Sequence, residues 1–116
     1  MTLEGESEIA RHALTGGRVL VWRDDGSPYD NVLHVYLLGS GGEVLDALEA
    51  GAAMTTGVLQ IRQVQDTAID FTYYANDTAY RLQVDDKPHL RLLTGLPLGF
   101  RYKSRLARHV LTVTPL

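Results

Sequence analysis

The chain has 116 residues, of which 45% are hydrophobic and 22% charged, with a net charge of −3 and no cysteine. This is enough apolar material for one domain, residues 1–116, with a continuous core, and it excludes a disordered chain. The lack of cysteine excludes disulfides, thiolate metal sites and cysteine nucleophiles and points to a reducing, cytoplasmic setting, and no apolar run approaches the roughly 20 residues of a membrane span.

The N-terminal segment MTLEGESEIARHALTGG bears glutamates where a secretory signal would have a basic start and an apolar middle. Ser7 as a cap, then Ile9, Ala10, Ala13 and Leu14 and the stop at Gly16 and Gly17, predict a short helix. RVLVWRD, residues 18–24, is apolar on both faces and rich in β-branched residues, which predicts a buried strand. DDGSPYDN, residues 24–31, reads as an exposed turn, and VLHVYLL, residues 32–38, as a second strand. After Gly39–Gly42, the segment EVLDALEA, residues 43–50, sets Val44, Leu45 and Leu48 to one side and ends at Gly51, so a second short helix is expected.

From Thr55 onward turn signals recur at short intervals, and strands are expected over 56–65, 68–75, 78–85, 89–94, 99–103 and 106–114. Asn76 and Asp77 suit a tight hairpin between Tyr73–Tyr74 and Tyr80. Asp85, Asp86, Lys87 and Pro88 mark another turn. The expected fold is therefore α+β and mainly β: a highly curved antiparallel sheet or small β-barrel of about seven to eight strands, with two short helices.

Charge is unevenly spread. Residues 1–80 carry four Lys and Arg against twelve Asp and Glu, whereas residues 81–116 carry seven against two. The basic run contains Phe100, Arg101, Tyr102, Lys103, Arg105 and Arg108, a mixture of cations and rings that suits single-stranded nucleic acid. The plainer reading is a solvated edge strand, or one paired with the acidic half of the same or a neighbouring subunit. The overall negative charge favours that plainer reading.

His34, Tyr36, Tyr74 and Tyr80 are candidates to line a small-molecule pocket if their strands converge; ordinary core tyrosines are the competing reading. His34 in mid-strand, with Asp70 as a carboxylate partner, is the one acid–base pair worth testing. The Gly-Ser-Gly-Gly run at 39–42 lacks the spacing of a phosphate loop, and Glu43 would repel an anion there. His12, His34, His89 and His109 lack metal-binding spacing, no serine lies in a nucleophile elbow, and no cofactor signature is present, which argues against an enzyme. The leading expectation is a binding or interaction domain that forms homo-oligomers or meets a protein partner. A small-molecule-binding barrel, with or without weak acid–base chemistry, and a single-strand nucleic-acid binder are the alternatives.

Overall fold

Alternation of apolar side chains, with turn residues every few positions, carries through to the backbone. The computed structural model describes residues 7–25, 32–51, 57–74, 78–90, 96–97, 99–103 and 108–116, without the side chains of residues 74, 88–90 and 108. Its strands are β1 Ser7–Ala13, β2 Val19–Asp24, β3 Leu33–Leu38, β4 Val44–Ala50, β5 Gly57–Val64, β6 Ala68–Tyr74, β7 Ala79–Leu90, β8 Phe100–Tyr102 and β9 Arg108–Pro115. They form two antiparallel sheets, one in the order β1-β2-β3-β4-β8 and the other β5-β6-β7-β9. Each sheet grows as a local meander, and the two C-terminal strands then add one edge to each. Among the described residues no helix is long and apolar enough to cross a membrane.

This corrects the expected architecture. Among the described residues there is no α-helix, only a single 3-10 turn at Thr15–Gly17, and the sheets stay open instead of closing into a barrel. The segment expected to be the first helix is β1, paired with β2 from Ser7↔Asp24 to Ala13↔Val19. A helix so short gains little by itself. As a strand it places Ala10 opposite Trp22 and His12 opposite Leu20. The second expected helix is β4, held between β3 and β8 with ladder partners on both sides. Its Gly-Ser-Gly-Gly lead-in is a hairpin turn closed by Gly42 N–H to the Gly39 carbonyl at 2.9 Å. Gly42 sits at φ +84°, a conformation that disfavours other residues.

The expected strands at 78–85 and 89–94 share one element as far as Leu90, because β7 continues through Asp85–Pro88. The turn signal there corresponds to a bulge. Val84 pairs with Leu111 while His89 pairs with His109, so β7 carries extra residues opposite β9. Of the expected turn at 24–31, Asp24 ends β2 and residues 26–31 lie outside the described residues, as do residues 75–77 and the 91–94 part of the 89–94 strand.

The inner faces of the two sheets share one core. Leu20, Trp22, Leu33, Val35, Leu37 and Leu48 come from one sheet, and Ile69, Phe71, Leu82, Val84, Leu111 and Val113 from the other. Trp22 meets Phe71 edge-on across the interface at 5.2 Å, a favoured aromatic geometry. Gly57 leaves room for the buried Tyr73 ring, since a Cβ there would come within 2.6 Å of it. A smaller apolar cluster, Val21, Tyr36 and Ala47, is buried on the opposite face of the five-stranded sheet.

Candidate interaction surface and the predicted site residues

The period of two in β3 sends Leu33, Val35 and Leu37 into the core and His34 and Tyr36 to the other face. His34 is buried, with Nε2 3.1 Å from Asp25 Oδ1. Its Nδ1 faces Glu49 Oε2 at 4.0 Å, too far for a hydrogen bond, and is buried without a partner. Tyr36 packs with Val21 and Ala47, and the Lys103 ammonium lies 5.7 Å from its ring centre. Tyr80, in contrast, is in the core between the sheets, 4.8 Å from the Phe100 ring and 5.8 Å from Phe71. The five-stranded sheet therefore separates Tyr80 from His34 and Tyr36, and the side chain of Tyr74 lies outside the described residues. Asp70 is also elsewhere: it accepts from Arg81 Nε at 2.7 Å and Nη2 at 3.0 Å. That guanidinium holds the Asp70 carboxyl below its ordinary value.

The described part of the basic segment, residues 100–103, is engaged within the fold. Phe100 is buried in the core. Arg101 donates to Glu49 at 2.6 Å and to the Gly51 carbonyl at 2.9 Å, and Lys103 reaches Glu49 at 3.3 Å. Burial pushes the Glu49 carboxyl up, but the Arg101 hydrogen bond and the two cationic charges outweigh it and hold the group below the usual range. Tyr102 stacks on His109, with ring centres 3.6 Å apart and planes 11° from parallel. Arg105 and the side chain of Arg108 lie outside the described residues.

One polar cluster escapes the sequence reading. Asp46 points into the seam where β4 meets β9. It accepts from the backbone N–H groups of Val110 at 2.9 Å and Leu111 at 3.1 Å, from the Ala47 N–H at 2.9 Å, and from His109 Nδ1 at 2.9 Å. Tyr102 adds a hydrogen bond to the Leu111 carbonyl at 2.7 Å. A buried carboxylate holding an imidazole is also a catalytic arrangement, but here the carboxylate serves three backbone amides as well. The cluster joins the two sheets without a ladder. Read as a strand, LDAL would have flagged Asp46 as an inward polar residue; read as a helix, it falls on the solvated side.

Each sheet also has a terminal strand at the end away from the β4–β9 seam. β1 and β5 are terminal strands of their sheets, and among the described residues no strand pairs with their outer sides. They also carry exposed apolar residues: Ile9 on β1, and Val58 and Val64 on β5, the last two 73% and 52% exposed. β5 spans eight residues and holds one charge, Arg62. Such an edge is a template for pairing with another chain. Its two register shifts against β6 are bulges of the kind that often blunt an edge.

Among the described residues, no group of three or more His, Asp or Glu side chains is arranged to hold a metal ion. Comparison with family models, curated proteins and solved structures finds no match.

Proposed function

We propose that this chain is a non-enzymatic interaction domain that self-associates, in a reducing setting, through the open edge strands β1 and β5. The observation that carries this reading is the coincidence of exposed Ile9, Val58 and Val64 with strands that end their sheets. A second copy is the partner favoured by the charge pattern. Antiparallel pairing of β5 with itself sets valines and glutamines against one another with a single charge per strand, and a two-fold axis closes the contact without leaving a growing end. Fully burying a valine contributes about 1.5–3 kcal/mol, so a few such side chains plus ladder bonds suit a modest dimer.

Light scattering across a concentration series tests this. The expected result is a dimer that dissociates in the Val58→Lys/Val64→Lys double variant, with unfolding of the variant by heat remaining cooperative. A wild-type chain that stays monomeric at about 1 mM sinks the proposal.

A further inference from the structure

At one end of the sandwich the β1–β2 and β5–β6 turns flank a half-open cavity of about 700 Å³, whose walls include Thr15, Arg18, Leu45, Asp66, Asp86 and Val110. Its size falls among small-molecule sites, which run from roughly 300 to 1,000 Å³. Leu45 is the unusual member. Leu38 pairs with Val44 and Leu37 with Asp46, so Leu45 is the extra residue of a bulge, and it is 46% exposed. Bulges re-aim side chains beside functional sites, and this one sets a leucine at the cavity wall where folding gains little from it.

The polar groups carry both signs. Arg18 is anchored by Nη1 donating to the Asp85 carbonyl at 2.9 Å, and its Nη2 lies 3.8 Å from Asp86 Oδ1. The guanidinium has five N–H donors, so this anchoring leaves capacity for a ligand. The Asp86 side chain is 93% exposed. Asp66 is fixed by the Thr15 hydroxyl at 2.7 Å and the Thr15 N–H at 3.1 Å, bonds that hold its carboxyl below the ordinary range.

A fatty anion would meet two carboxylates beside the guanidinium, and a hydrophobic amine would meet the guanidinium itself. We propose that the cavity binds a small zwitterion with an aliphatic tail, of amino-acid type: its carboxylate on Arg18, its ammonium at Asp86 in the field of Asp66, and its tail against Leu45 and Val110. This site is separate from the edge strands β1 and β5.

Leucine is the probe, with leucinamide as the cation-only and 4-methylpentanoate as the anion-only control. Each is titrated into the full chain while backbone amide resonances are followed. Leucine should move the amides of Thr15–Arg18, Leu45 and Asp66–Thr67 saturably, with an affinity at least about tenfold above either control. Asp86→Asn, at an exposed position, should weaken leucine about tenfold and, by removing one of the two repelling carboxylates, strengthen 4-methylpentanoate. The proposal is overturned if leucine gives no saturable shifts up to about 10 mM, if the shifts fall elsewhere, if a control binds as well as leucine, or if Asp86→Asn binds leucine normally.

Discussion

His12 turns a packing contact into a pH response. Its Nδ1 accepts the Trp22 indole N–H at 3.0 Å, which requires an unprotonated nitrogen there, and burial pushes the imidazole below its ordinary 6.5. Because the unfolded chain takes up this proton more readily than the folded one, the contribution of His12 is complete above about pH 6.5 and lost as pH falls towards the lower folded value. An NMR titration should place the His12 ring midpoint below 6.5. The Tm advantage of wild type over His12→Asn should shrink across the same window. A midpoint at or above 6.5 would show that the indole bond does not constrain the ring.

At the scale of elements, the β4–β9 seam depends on one carboxylate. Asp46→Asn keeps one acceptor oxygen but turns an amide NH₂ towards one pair of groups, either the Val110 and Leu111 N–H groups on Oδ2 or the Ala47 N–H and His109 Nδ1 on Oδ1. A loss of about 2–4 kcal/mol is expected in urea unfolding. Native-state hydrogen exchange should show Val110 and Leu111 losing protection before the β2–β3 ladder does; uniform loss would mean that the seam is not a separate contact. The sequence reading explains why such a residue stays hidden. β2, β3 and β6 are legible because dense β-branched and aromatic residues leave one interpretation. In β1 and β4 a few apolar residues fit periods of both 3.6 and 2, and the serine or glycine that caps a helix also serves a hairpin. Once β4 is taken for a helix, Asp46 faces solvent. Its partners, 63 to 65 positions away, cannot be read from local pattern. His34 is legible as a buried strand histidine, but its carboxylate neighbours are Asp25 and Glu49, fixed by the strand register and not by proximity to Asp70.

For the whole molecule, the charge asymmetry along the chain is partly closed by folding: Arg101 and Lys103 meet Glu49, and Arg81 meets Asp70. Association through the apolar edge should therefore persist in salt high enough to shorten the screening length to about 3 Å. A generic single-stranded oligonucleotide should not bind at low salt, where electrostatic affinity is greatest, because Phe100 is buried and Tyr102 already stacks on His109. Light scattering for the first and fluorescence anisotropy for the second check these expectations; salt-induced dissociation or tight oligonucleotide binding would return the basic strand to the centre of the function. The placement of β8 and β9 carries a further consequence, for the order of assembly. Both meanders are local in sequence and precede β8 and β9, so each lacks one border strand until those two follow. During synthesis β4 and β7 are thus unsealed borders, and the nascent chain passes through a period of heightened vulnerability to sticking that ends when β8 and β9 dock.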